Sequence, residues 1–394
     1  MSADIENSLL SALSAADRPE AREDPAGTWR REVREFVASE VAPLAEQIDA
    51  SQEFPASVIR NLRDRGYLGF LLERQFGGQG GDFIRYGILC EELGRACSST
   101  RSLLTVHDMV AYAIGRWGNP AQKSRWLPSL ANGEKLGAFC ISEESAGSDT
   151  AAIQTSAVPV NGGFVVNGKK KWVTFGQLAD LLLVLVRCGD KSAALLVDAN
   201  TPGLARRPVS GMLGMRGAML AELAFDDCFV PDANLLARIG FGTSYVATSA
   251  LQLGRYNVAC GSVGIGQACI DLCLGRTSER SQFGAPLQDH QLVQRALTDM
   301  LVDVRAARLV CNQAGYSLAT AHPNALVQTF EAKYVASRAA MRAAWQAVQL
   351  HGAVGCAVGS AASRLFRDAK VMEIIEGTHE ICQMTLARNA SALT

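Results

Sequence analysis

The 394-residue chain lacks a long apolar run, an excess of charge of either sign, and any CxxC motif. No apolar run approaches the roughly 18–20 residues needed to cross a bilayer. The longest such piece, LADLLLVLV at 178–186, is interrupted by Asp180 and reads as a buried strand. Lysine plus arginine (38) nearly balance aspartate plus glutamate (39). A net charge of −1 gives no electrostatic reason to expect nucleic acid or an anionic membrane as partner. The first residues, MSADIENSLLSALSAADRPEARED, are acidic and lack a basic region followed by an apolar core, so they do not read as a secretory signal. Residues 1–26 are expected to be a flexible tail with at most one short helix. The 11 cysteines are odd in number and scattered, which points to reduced thiols and a cytoplasmic setting. Cys269 and Cys273 share a helix face, but no histidine or acid stands at metal-ligand spacing, so they read as core. The five histidines, His107, His290, His322, His351 and His379, are equally dispersed, and no metal site is expected.

What is present falls into three textures. From 27 to 132 the pattern is helical: in REVREFVASEVAPLAEQI, Val33, Phe36, Val37, Val41, Leu44 and Ile48 recur at three- and four-residue steps. The Gly-rich loop FGGQGGD, 76–82, follows no strand and lacks the lysine of a phosphate loop, so it reads as a turn. From 133 to 240, short runs such as GFVVNGKKKWVTF and AELAFDDCFVP, separated by Gly, Asn and Asp, predict antiparallel strands. From 241 to 394, three helical patterns of more than twenty residues predict an up-down bundle. The glycines of GSVGIGQ lie inside one of these helices, where small residues permit close packing. The fold class is α+β: an N-terminal helical domain, a middle antiparallel β domain and a C-terminal four-helix bundle.

Five motifs carry polar chemistry. CISEESAGSDTAA, 140–152, offers Ser142 and Ser148 in a Gly-containing turn, which is either an ordinary polar loop or a cradle for phosphate or a ring edge. In NGKKKWVTFGQLAD, Trp172 and Thr174 share a strand face and suit a flat heteroaromatic ligand; a core tryptophan is the plainer reading. RTSERSQFGAPLQDHQLVQ presents Arg280, Gln282, His290 and Gln291. QLHGAVG follows a long helix. IIEGTHEI, 374–381, places Glu376 behind two isoleucines and before Gly377. That glutamate is either a helix-end carboxylate on a wet face or a base whose proton affinity is raised by desolvation.

In this order and spacing, the motifs resemble the acyl-CoA dehydrogenase family over essentially the whole chain after the tail. The resemblance implies FAD as cofactor, electron-transferring flavoprotein as a typical electron acceptor, and a homodimer or homotetramer. It implies that Ser142 lies near the isoalloxazine edge, Ser148 near the pyrophosphate, and Trp172 and Thr174 beside the flavin ring. It implies that Arg280, Gln282, His290 and Gln291 hold FAD, partly across a dimer interface. Gln349, Gly352 and Ala353 would receive the adenine-side phosphates from a neighbouring subunit. Thr378 and Glu380 would also face cofactor. Arg255 would shape the acyl pocket beside the base. Some family branches carry the base just before that arginine; here Gly254 stands there, so the resemblance assigns the role to Glu376. The thioester oxygen would be held by the Glu376 N–H and a ribityl hydroxyl, and Gly377 would let the backbone approach.

A narrower resemblance runs through ACSSTRSLLTVHDMVAYAIGRWG (96–118) and FRDAKVMEIIEGTHEIC (366–382). These stretches look like dehydrogenases that act on acyl groups tethered to an acyl carrier protein, in pathways making hydroxymalonyl or methoxymalonyl polyketide extender units. Loss of an α-proton and a β-hydride from a glyceryl thioester would give an enol and then an aldehyde. A small polar pocket is the expected correlate, lined by Ser98, Ser99, Arg101, Thr105 and His107 or else leaving them as a buried polar cap. The alternatives are a catabolic dehydrogenase of short or branched acyl-CoAs, an oxidase or monooxygenase on the same fold, and a flavin-binding scaffold without catalysis. The sequence departs from the family's usual wording at Ala218–Leu220 and at Cys382–Gln383, which puts the contacts of a CoA or pantetheine arm in doubt.

Overall fold

The computed structural model describes residues 25–392. The expected tail therefore lies almost wholly outside the described residues. The chain opens with α1 (Pro25–Glu40), whose Trp29, Val33, Phe36 and Val37 are buried along one face. The sequence pattern continues to Ile48 as if in one helix, but the structure breaks it. A 3₁₀ turn at Ala42–Leu44 carries Pro43, which has no N–H to continue the ladder, and α2 (Ala45–Ser51) follows. Then come α3 (Ala56–Asp64), α4 (Phe83–Ala96, capped by Asp82), α5 (Ser98–Trp117) and α6 (Pro120–Ala131, with an Asn119/Gln122 capping box).

The strands are β1 (Gly137–Cys140), β2 (Ser156–Val160), β3 (Gly163–Val173), β4 (Leu181–Cys188), β5 (Lys191–Asp198), β6 (Leu204–Pro208), β7 (Ala221–Pro231) and β8 (Leu235–Leu236). They form one sheet in the order β6-β7-β3-β2-β4-β5-β8, with β1 also on β4. Most pairs are antiparallel, as the patterning predicts. The exceptions are β1 with β4, which run parallel from Gly137↔Leu181 to Cys140↔Val184, and a single parallel bridge from β2 to β4. The β2–β3 hairpin intervenes between β1 and β4, so the chain returns in the direction it left, and the sheet is mixed.

The helices then resume: α7 (Thr248–Glu279), a two-strand hairpin of β9 (Ser281–Gln282) and β10 (Ala285–Pro286), α8 (Gln291–Ala319), α9 (Ala325–His351), α10 (Ala361–Ile374) and α11 (His379–Arg388). Gly242–Glu279 has the length and composition of a membrane span, but its most apolar window, of mean hydropathy 1.5, is 67% buried inside the protein. It is the central helix. Gly261 and Gly264 meet the Arg101 side chain and the Glu91 carbonyl so closely that no larger residue fits without a shift. One hydrophobic core runs through both helical regions, from Val33, Leu89 and Leu104 to Ile265, Val304 and Ala340.

The segment between β6 and β7 fastens the sheet to the helices near the α10–α11 link. Phe175 N donates to Ala218 O (2.9 Å), Gly217 N to Ser99 Oγ (3.2 Å), and Met215 N to Asp368 Oδ1 (2.6 Å). The end of β3, α5 and α10 are thereby held in one frame.

Candidate active site

Glu376 stands in the short link between α10 and α11. Its φ is +56°, a left-handed conformation that a non-glycine residue seldom adopts, and Gly377 follows at φ +99°. Arg255, on α7, donates from Nε to the Glu376 carbonyl (3.1 Å), and its guanidinium lies 3.8 Å from the centre of the Phe330 ring. The residue keeps a partial opening to solvent, while its carboxylate Oε2 is sealed and has no hydrogen-bond partner. Burial raises its pKa to about 7, against the opposing pull of Arg255, Arg101 and Lys333. A poised carboxylate results, surrounded by cations and not bonded to any.

Gly254 explains how the carboxylate fits. A Cβ there would stand 2.6 Å from Glu376 Oε2 and 2.8 Å from Met109 Sδ. The position that holds the base in other branches is thus the space into which Glu376 reaches.

The face of α5 opposite α7 is polar. Arg101 is fully buried; its Nη1 donates to Thr105 Oγ1 and to Asn257 Oδ1, both at 2.8 Å. Its Nη2 lies against Met215 and Met372 sulfurs, and its Nε has no partner. Arg101, Thr105 and Met109 recur at four-residue steps against Gly261, Asn257 and Gly254, so the ladder leads from the guanidinium toward Glu376. Of the other residues expected to line a pocket, His107 instead bridges Leu130 O (3.1 Å) and Gly137 N (3.2 Å), tying α6 to β1. Ser99 receives the Gly217 N–H, and Ser98 Oγ is buried without a partner.

The remaining sequence-predicted residues form two further groups. On the sheet, Trp172 is 46% exposed at φ +63°, where the β3–β7 register breaks between Lys170 and Val173. That irregularity turns the indole outward, with Thr174 half-buried two residues on. Ser142 accepts from Lys171 N through its carbonyl (2.9 Å), which draws the serine loop alongside, and Ser148 is exposed in the same loop. An exposed indole offers a flat face to a heteroaromatic ring, and the neighbouring hydroxyls offer polar partners for a ring edge, so these residues fit a flavin. The third group lies on the surface: Arg280, Gln282 and Gln291 around the β9–β10 hairpin, and Gln349, Gly352 and Ala353 at the end of α9, are all exposed. His290 is half-buried, with Nε2 3.0 Å from Gln282 O. Thr378 caps α11 through its Oγ1, and Glu380 is exposed in the first turn of that helix.

Sequence reasoning passed over Lys333. It is fully buried on α9, and its Nζ donates to the carbonyls of Glu373 (3.0 Å) and Gly377 (2.6 Å). The available signal is a lysine amid the small-residue stripe Ala332, Ala336, Ala340 and Ala344, a face that otherwise reads as core.

The chain matches the sequence models of the acyl-CoA dehydrogenase N-terminal domain over residues 26–134, the middle domain over 138–228 and the C-terminal domain over 240–391. It is 34% identical to an acyl-CoA dehydrogenase of Bacillus subtilis (strain 168), covering 91% of this chain and 96% of that one. A structure described as an electron transferring flavoprotein of Acidaminococcus fermentans superposes with a TM-score of 0.91 at 29% identity, covering 94% of this chain and 99% of the other. A structure described as FkbI, for biosynthesis of the methoxymalonyl extender unit of the Fk520 polyketide, superposes at 0.85 with 34% identity, covering 93% and 99%. The chain belongs to the acyl-CoA dehydrogenase family. It is a flavin oxidoreductase acting on the CH–CH bond next to a thioester, with FAD as cofactor.

Proposed function

We propose that the protein dehydrogenates a small, oxygenated acyl group, of the glyceryl type, carried as a thioester on an acyl carrier protein and destined for hydroxymalonyl or methoxymalonyl extender units. The observation that carries this reading is the polar ladder of Arg101, Thr105 and Asn257 beside Glu376. Arg101 Nε is buried there without a partner, a donor that an oxygenated acyl group could satisfy and an alkyl chain could not. Overall likeness does not choose: identity is 34% both to the B. subtilis acyl-CoA dehydrogenase and to FkbI. The alternative, a catabolic dehydrogenase of short or branched acyl-CoAs, rests on the first of these.

In this reading Glu376 removes the α-proton. Its N–H and the nearby cations Arg255 and Arg101 favour the negative charge that develops on the thioester oxygen. FAD, held there by this chain's own residues, would supply the two-electron acceptor for the β-hydride as the double bond forms between the two carbons. Arg255 holds the Glu376 backbone carbonyl and so fixes the link that carries the carboxylate. Trp172, Thr174, Ser142 and Ser148 would bind the flavin and its pyrophosphate. Arg280, Gln282, His290, Gln291, Gln349, Gly352, Ala353, Thr378 and Glu380 would hold the remainder of FAD, in part from a second subunit of a homodimer or homotetramer. Electron-transferring flavoprotein is the proposed acceptor, supported by the Acidaminococcus neighbour. The free thiols, ten of the 11 buried, suit a cytoplasmic location. The working division is a tail at 1–26 and domains at 27–132, 133–240 and 241–394.

The test compares kcat/KM for glyceryl-carrier protein and butyryl-CoA with one electron acceptor, in wild type and Arg101→Met. The carrier substrate is expected to be favoured, and the variant is expected to lose that preference by ten-fold or more. A wild-type preference for butyryl-CoA, unchanged in the variant, would return the protein to catabolism.

A further inference from the structure

The link that carries Glu376 is held from below by one side chain. Lys333 Nζ bonds the carbonyl of Glu373, in the last turn of α10, and that of Gly377, immediately after Glu376. The two bonds bracket the left-handed pair Glu376–Gly377. Left-handed backbone at a non-glycine residue persists only when its surroundings over-determine it. Arg255 from α7 holds the Glu376 carbonyl, and the Lys333 ammonium from α9 holds the carbonyls on either side of it. Ser337 Oγ donates to Lys333 O (2.7 Å), which leaves it to accept from His379 Nε2 (2.8 Å). Lys333, Ser337 and His379 thus join α9 to both sides of the base.

We propose that Lys333 is a positioning residue for the Glu376 base: its buried ammonium fixes the left-handed link on both sides of the base through the Glu373 and Gly377 carbonyls. The inference rests on Glu376 being the base. The charged groups around the pair are Arg101 from α5, Arg255 from α7, Glu373 from α10, and His379, Glu380 and Cys382 from α11. Glu373 reaches Lys370 (2.6 Å) at the surface, and Cys382 is a buried thiol that burial holds protonated. Arg101 and Arg255 remain charged in any Lys333 variant, so the loss of one cation from three is what such a variant reads. Burial lowers the pKa of Lys333 itself to about 8, so it is mostly charged where Glu376 titrates.

The experiment uses the full-length, FAD-loaded enzyme with the better of the two thioesters above. Three variants separate geometry from charge: Lys333→Arg keeps both donors and charge, Lys333→Gln keeps a donor without charge, and Lys333→Met removes both. Removing a cation favours the neutral carboxyl, so the acid limb of kcat/KM moves to higher pH. The expected shift is about one unit in Lys333→Gln and Lys333→Met, with the limb restored toward wild type in Lys333→Arg. Lys333→Met should also lose kcat by a further ten-fold or more relative to Lys333→Gln, because the carbonyls lose their donor. If Lys333→Met fails to fold or to hold FAD, the Gln and Arg pair alone decides. An acid limb that stays at the wild-type pH in Lys333→Gln, with FAD content intact, overturns the proposal. Glu376→Gln is run alongside: retained activity there would instead overturn the assignment of the base, whatever the lysine variants do.

Discussion

A carboxylate among three cations ordinarily titrates low. Glu376 titrates near 7 because the burial of Oε2, without any donor to it, outweighs Arg255, Arg101 and Lys333. Two predictions follow at this scale. As the proposed base, Glu376 must be ionised to accept a proton, so kcat/KM is expected to fall about ten-fold per pH unit below about 7; a flat profile down to pH 5 would contradict this. The second concerns stability. Folded Glu376 holds its proton more tightly than the unfolded chain does, so its ionisation opposes folding. Stability is full below about pH 4.5, falls as pH rises to about 7, and is level above. Glu376→Gln should therefore raise the melting temperature at pH 8, by an amount worth up to about 3 kcal/mol, and leave it nearly unchanged at pH 4. Melting curves at the two pH values check it.

At the scale of elements, the site depends on how closely α5, α7 and the α10–α11 link approach. Gly254→Ala should displace Glu376, since its Cβ would lie 2.6 Å from Oε2. We expect a loss of kcat of ten-fold or more with FAD content unchanged, and a kcat equal to wild type would contradict the packing. Much of this level was legible in the sequence. The 3.6-residue pattern of the long helices follows from local chemistry, whereas the common strand face expected for Trp172 and Thr174 does not survive, because β3 breaks register at Trp172 and ends at Val173. The rest required tertiary contacts. The break at Pro43 lay inside an apolar pattern that continued across it. The parallel β1–β4 pair depends on where a distant strand returns. Of the two readings open for His107, pocket lining or a buried polar cap, its bonds to α6 and β1 match the cap, a contact between distant segments. Lys333 was hidden because a lysine is usually solvated, and only the carbonyls of a distant link make its burial tolerable.

At the scale of the molecule, the hairpin and the outer faces of α8 and α9 leave large apolar side chains uncovered. Phe283 is 99% exposed, Leu292 74%, Leu309 70% and Trp345 57%. Phe283, Leu292 and Trp345 lie within a few residues of exposed Gln282, Gln291 and Gln349, the residues proposed to hold cofactor together with a second subunit. Light scattering is expected to give a dimer or tetramer, and Phe283→Asp to lower both the mass and the FAD content. A monomer with full FAD would contradict the shared site. The proposed role of Glu376 in starting the reaction is tested most directly by anaerobic bleaching of the oxidised flavin band. Mixing FAD-loaded wild type with the preferred thioester should bleach the band, while Glu376→Gln, equally loaded, should bleach about 10²–10⁴-fold more slowly. Bleaching of Glu376→Gln at the wild-type rate would contradict the account.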